Sequence, residues 1–366
     1  MLATPLVRDR RLDSLRGIFL VIMLIDHLGG FIANYTYQPL GFVSAAEGFI
    51  FLSGLMFGQI YARYAADPAT LFRRSISRAW LIYRYHIVMV LVIAALALLP
   101  FFDQIWYWAL RPYSEKPLET FLAMLTLVHQ PGYLDILPMY VIFVLVSPVV
   151  LLALERGHHL AVVLISVLLW GGGQLLDPLG SLYKVAGIDF HAGYFNLFSW
   201  QILWMAGLAL GYARLNAIEG GFLRERGVLW LALAFAFVFW VWRREFVSPG
   251  HWIIPLLDKP GLGPLRLFNC ILLMLIGWRV MNLFRHEQCL PFFELLGRYS
   301  IQVFSFHAVM LYTLQYTSQS MRSTGSLVYS LYTLALVFCL LIPVVVTRRW
   351  KHQPNRHLFS VRSGGL

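Results

Sequence analysis

Apolar runs of roughly membrane-spanning length punctuate the chain at 15–34, 42–62, 79–101, 137–154, 160–176, 197–214, 227–242, 263–282, 298–316 and 327–347. Each suits a helix rising about 1.5 Å per residue across a hydrocarbon core of about 30 Å. The pattern therefore predicts an all-α, polytopic integral membrane protein with about ten transmembrane helices. A stretch at 119–130 is apolar but too short to cross and ends at a histidine, so a re-entrant or interfacial helix is predicted there. The first run follows Arg8, Arg10 and Arg11, as a secretory leader would. It also holds Asp26 and His27 and lacks a small-residue cleavage site, so a retained first helix is expected.

Composition agrees with this pattern. Mean hydropathy is +0.68, 59% of the 366 residues are hydrophobic and 13% are charged, against about 25% charged in soluble domains. Little chain remains for a soluble unit, so one transmembrane domain, 1–366, is predicted, with tails 1–14 and 348–366. The formal charge of +11 does not point to nucleic acid, because the basic residues sit between apolar runs and not on one solvated face. Lys and Arg alternate between the two sides of the helix map at about two to one, which predicts that both termini are cytosolic. Cys270, Cys289 and Cys339 have neither disulfide nor metal-ligand spacing. No internal repeat is visible. Helix faces directed to lipid or to a second copy are equally apolar, so the pattern leaves a homo-oligomer open.

Ionisable side chains inside the runs carry the candidate chemistry, since each is costly in hydrocarbon without a polar cavity or partner. Arg16 and His27 are eleven residues apart, so they share a helix face about 16 Å apart, with His27 near the midplane and Asp13 able to pair with Arg16. Glu47 in the second run is expected at a height within about 6 Å of His27. Gly54 and Gly58 on the same stripe suit close helix packing. The ninth run places His307 about 15 Å beyond Arg298, near the level of His27. Arg73, Arg74 and Arg78 precede the third run, with Arg84 and His86 inside it, and Arg84 suits a phosphate-bearing ligand.

The segments RDRRLDSLRGIFLVIMLIDH, AAEGFIFLSGLMFG, FRRSISRAWLIYRYH, YLDILPMYVIFVLVSP and RYSIQVFSFH, in that order, resemble the OpgC family within the wider superfamily of ten-helix membrane acyltransferases. The Arg16–His27 spacing is similar to the superfamily's first-helix motif, and Glu47 matches the OpgC branch. The resemblance implies a bacterial inner-membrane enzyme that transfers an acyl group, succinyl in this branch, from cytosolic acyl-CoA to hydroxyls of periplasmic glucans. Acyl-CoA is then a donor co-substrate, with no permanently bound cofactor or metal.

On that basis His27 is expected to be the general base. Glu47 is preferred to Asp26 as its orienting carboxylate, because Asp26 points about 100° away on the helix. Arg16, Arg74, Arg78 and Arg84 are the candidates for the CoA phosphates, and His307 either donates to the thioester oxygen or binds the sugar. A covalent acyl-histidine step stays open. The loops at 103–136 and 177–196 offer Trp106, Trp108, Tyr113, His129, Asp135 and His191 to a sugar. Alternatives are an acyltransferase acting on another surface glycan or lipid-linked sugar, and a secondary transporter, which also buries charge at the midplane but for which paired broken helices are missing.

Overall fold

The computed structural model describes residues 8–100, 116–175, 192–216, 225–245, 253–284 and 288–351, and the described residues form an all-helical bundle. In chain order the helices are α1 (Arg10–Leu28), α2 (Ala33–Thr36), α3 (Ala45–Tyr61), α4 (Pro68–Ala97), α5 (Pro117–Leu125), α6 (Ile136–Glu155), α7 (His159–Leu175), α8 (Leu197–Leu215), α9 (Arg226–Glu245), α10 (Ile254–Leu257), α11 (Pro264–Met281), α12 (Pro291–Arg298), α13 (Ser300–Arg322), α14 (Ser326–Cys339) and α15 (Ile342–Lys351). A helix occupies every predicted apolar run. Among the described residues, six helical segments are long and apolar enough to cross a membrane by length and composition: Ala45–Tyr64, Pro68–Ala97, Ile136–Glu155, Arg226–Arg244, Pro264–Met281 and Ser326–Trp350. Trp80, Val88 and Leu91 of α4 and Trp230, Leu231 and Phe237 of α9 are exposed. Such bare apolar faces are what lipid contact requires.

Boundaries differ from the apolar pattern where capping decides them. Helix α1 starts earlier than residue 15 because the Asp9 side chain accepts from the Arg11 amide, and it ends at Leu28 because Gly29 takes φ 70°. His27 thus occupies the last helical turn. The last apolar run is divided between α14 and α15, since Pro343 has no amide hydrogen to donate to the Cys339 carbonyl four residues earlier. The stretch at 119–130 forms α5, whose last turn is tied to the middle of α4: the Tyr83 hydroxyl donates to the Leu125 carbonyl at 2.8 Å, and His86 Nε2 lies 3.0 Å from the Met124 carbonyl.

Two faces of the bundle can be named from long-range contacts. At the amino-terminal face, Arg11 donates to the carbonyls of Met281 and Phe284, Arg214 reaches Asp9, and Arg10 pairs with Glu294. At the far face, the Tyr194 amide donates to Asp135, the Asn196 amide to the Pro260 carbonyl and Arg322 to the Leu28 carbonyl.

Helices α3 and α8 meet through reciprocal small-residue pairs. A Cβ at Gly54 or Gly58 would overlap the carbonyl oxygens of Trp204 or Leu208, and one at Gly207 or Gly211 those of Phe51 or Leu55. Helices α1 and α12 cross as closely, Gly17 against the Phe293 backbone and Gly297 against Asp13. Such backbone contact depends on an absent side chain. Gly54→Val is expected to lower thermal stability by about 1–3 kcal/mol or more through overpacking, measured by melting the purified protein in detergent. An unchanged melt would show that α3 and α8 can separate without cost.

Candidate functional site

Arg16 and His27 mark the two ends of a continuous line of side chains through the bundle. The Arg16 guanidinium donates to Ser300 Oγ at 2.7 Å and lies over the Phe49 ring, 5.4 Å from its centroid. Phe49 stacks on Phe304 at 6.4 Å, and Phe304 meets His307 edge-on at 6.1 Å. His307 in turn lies beside His27, with Nε2 of His307 3.2 Å from Nδ1 of His27 and the rings stacked at 5.2 Å. The two histidines placed at one height by helix rise are therefore in direct contact.

That contact is the one hydrogen bond either imidazole makes among the described residues. His307 is 2% exposed and its Nδ1 is buried without a partner, whereas His27 is half-buried. An unsatisfied buried nitrogen costs about 1–3 kcal/mol, a cost that a ligand oxygen would remove. Tyr133 closes the other side of His27, ring centroids 4.6 Å apart, with its backbone at φ 69°. An aromatic residue held in the left-handed region stores about 1–3 kcal/mol of strain. The loop imposing it is fixed by Tyr312, whose hydroxyl donates to the Gly132 carbonyl at 2.7 Å.

The arginines divide. Arg78 is half-buried and within electrostatic range of Arg16, Tyr61 and Tyr85. Arg74, one turn earlier, is exposed and lies over the Tyr64 ring at 4.5 Å. Asp13 does not pair with Arg16 as its spacing allowed. It is fully buried and takes two hydrogen bonds from Arg8, at 2.5 and 3.0 Å. Among the described residues Arg16 has no carboxylate partner, and its Nε is buried and unbonded. Two guanidiniums within electrostatic range of each other, neither in a direct ion pair among the described residues, suit a phosphate or other oxyanion. Arg84 is exposed, because six residues from Arg78 turn the helix by about 240°.

Glu47 is engaged elsewhere. It is 0% exposed; one oxygen accepts from Arg266, 2.6 Å away, and the other takes the backbone amide and hydroxyl of Ser44 at 3.0 and 2.6 Å. The carboxylate is both the third residue of a capping box and half of a buried ion pair. It therefore braces the start of α3 and gives His27 no hydrogen bond. Asp26 accepts from the Thr36 hydroxyl at 2.7 Å, so neither carboxylate orients His27. His307 takes that position.

Of the residues assigned to a sugar, Trp106, Trp108, Tyr113 and His191 lie outside the described residues, whereas His129 and Asp135 are buried at 2% and 7% exposure. Lys259 and Arg266, not among the residues singled out from the sequence, both join the polar far face. Arg266 had a readable signal, since it falls one turn inside an apolar run. The Ser44-Ala-Ala-Glu47 spacing was likewise legible as a capping box.

The family model described as OpgC protein matches residues 8–353. The chain belongs to the OpgC family. OpgC membership implies an acyltransferase-type activity on glucans, and the apolar helices of this OpgC-family chain make it a membrane protein. No curated protein and no solved structure matches the chain. In this OpgC-family protein the candidate site is thus the line from Arg16 to Tyr133, with the His27–His307 contact at its inner end.

Proposed function

We propose that this protein is a bacterial inner-membrane acyltransferase that moves an acyl group, succinyl by family implication, from cytosolic acyl-CoA to a hydroxyl of a periplasmic glucan. On this reading the helices of all ten apolar runs cross the bilayer, both termini are cytosolic, and the amino-terminal face is the cytosolic one. The observation that carries the reading is the His27–His307 contact at 3.2 Å, reached from Arg16 through an aromatic wall. Arg16 and Arg78, with Arg74 at the mouth, hold the donor's phosphates. Phe49 and Phe304 flank the thioester arm, which delivers its carbonyl to the histidines.

The tautomers follow from hydrogen-bond capacity, because a neutral imidazole has one donor and one acceptor nitrogen. For His27 to act as a base its outer Nε2 must be unprotonated, so its Nδ1–H donates to His307 Nε2. His307 then carries its own proton on Nδ1, the buried nitrogen that lacks a partner. That proton is placed to donate to the thioester oxygen as negative charge develops there. The acceptor hydroxyl gives its proton to His27 Nε2 while its oxygen forms the bond to the acyl carbon. The carbon–sulfur bond breaks, and the departing thiolate takes the proton back from His27.

The test is transfer of radiolabelled succinyl groups from succinyl-CoA to purified periplasmic glucan by the protein in nanodiscs. Dependence on both substrates is expected. Uptake of label by sealed vesicles with no glucan ester formed would replace this reading with transport. Arg16→Gln is expected to weaken acyl-CoA binding about 10- to 100-fold, the range for losing a charge-assisted hydrogen bond worth about 1.5–3 kcal/mol. Arg84→Gln should leave it within twofold. Calorimetric titration with a non-hydrolysable CoA thioether compares them, and equal losses at both positions would put the phosphate site elsewhere.

A further inference from the structure

The far face holds polar groups that acyl-CoA binding and the histidine pair do not use. Lys259 extends between two tyrosine rings, its ammonium 5.5 Å from the Tyr37 centroid and 5.9 Å from that of Tyr194. It makes no ion pair among the described residues, yet it is within electrostatic range of Asp26, Asp135, Glu47 and His27. Asp135 accepts from the Tyr194 amide at 3.0 Å, which fixes that tyrosine beside it. Gln130 lies next to Asp135 across Gly193, where an added Cβ would touch both side chains. Gln130 is 4% exposed, and both its amide nitrogen and its amide oxygen are buried without a partner. A buried amide with donor and acceptor both unmet indicates a ligand that supplies both.

We propose that Asp26, Tyr37, Gln130, Asp135, Tyr194 and Lys259 form the subsite that seats one neutral hexopyranose ring of the acceptor. The inference rests on the acyltransferase reading and specifies its acceptor side. Charge balance selects a neutral ligand. Glu47 is already neutralised by Arg266, so the ammonium of Lys259 and the Arg322 guanidinium, which is bonded to the Leu28 carbonyl, stand against the two carboxylates of Asp26 and Asp135, with no positive surplus for an anion. Carboxylates and an amide chelate neighbouring hydroxyls, while the exposed rings of Tyr37 and Tyr194 offer flat faces to the sugar's C–H surface. The subsite also adjoins the reactive centre: Asp26 precedes His27 in α1, and Tyr133, packed on His27, shares a loop with Gln130 and Asp135. A hydroxyl of the seated ring thus faces the open Nε2 of His27.

The experiment measures binding of a glucose tetrasaccharide to the nanodisc protein by calorimetry, alongside binding of the CoA thioether. Tyr194→Leu and Asp135→Asn are expected to weaken saccharide binding at least tenfold with thioether affinity within twofold. Tyr194→Phe, which keeps the ring, should stay within threefold of the original. Saccharide affinity unchanged in folded Tyr194→Leu and Asp135→Asn proteins would overturn the subsite, as would tighter binding of a carboxylated saccharide than of the neutral one. Saccharide bound as expected by a protein that never transfers an acyl group would retain the subsite and remove the acyltransferase reading.

Discussion

His27→Ala is expected to lower the rate of acyl transfer about 10³-fold, within the 10²- to 10⁴-fold range of a positioned acid–base group, without weakening acyl-CoA binding. Losing the imidazole removes the base at the acceptor end of the line from Arg16, and it frees His307 Nε2 as a second unmet nitrogen, one place further from the acceptor hydroxyl. The imidazole is half-buried at the end of α1, so its removal leaves a space that solvent can fill, and the fold should persist. Single-turnover transfer from labelled succinyl-CoA, with melting temperature as a control, measures both. Transfer at the original rate by a folded His27→Ala protein would sink the mechanism.

His307 separates that mechanism from one in which His27 acts alone. His307→Ala removes both the acceptor that holds the His27 tautomer and the donor aimed at the thioester oxygen. A loss of about 10²-fold in kcat is expected, the lower end for deleting one oxyanion donor. Removing both histidines should cost little more than removing His27 alone, because groups acting as a unit are not additive. A strictly multiplicative double variant would show that the 3.2 Å contact couples nothing.

The common height of the two histidines was legible because helix rise converts residue number into height, and an apolar run fixes where the count begins. Lateral neighbours were not legible by that route. Glu47 stands at a suitable height for His27, yet which side of α3 it takes, and what meets it there, depends on how α3 packs against α11. The capping box at Ser44 and the position of Arg266 one turn inside an apolar run were the local signals of its other use. Helix ends were similarly displaced: the apolar count continued past Gly29, where backbone geometry stops the helix. Arg84 shows the converse gap, since depth in the span was counted and its azimuth, about 240° from Arg78, was not.

The reassignment of Glu47 makes its own prediction, with the largest expected effect on stability. Glu47 and Arg266 are 0% and 2% exposed, so removing either charge strands the other in a low-dielectric interior. Arg266→Met is expected to destabilise the fold by about 3–5 kcal/mol, the range for breaking a buried pair at one partner. Glu47→Leu should cost a similar amount plus about 1 kcal/mol for the lost capping contacts to Ser44. The double variant should recover most of the pair's cost, because two apolar side chains leave no stranded charge. Thermal unfolding in detergent reads all three. If Glu47 instead served His27 chemically, Glu47→Gln would depress kcat in a protein of unaltered stability, and Arg266→Met would leave both melt and turnover intact. The double-variant recovery decides the matter, since restoring stability by removing a second charged group has no explanation in a carboxylate whose role is to orient a base.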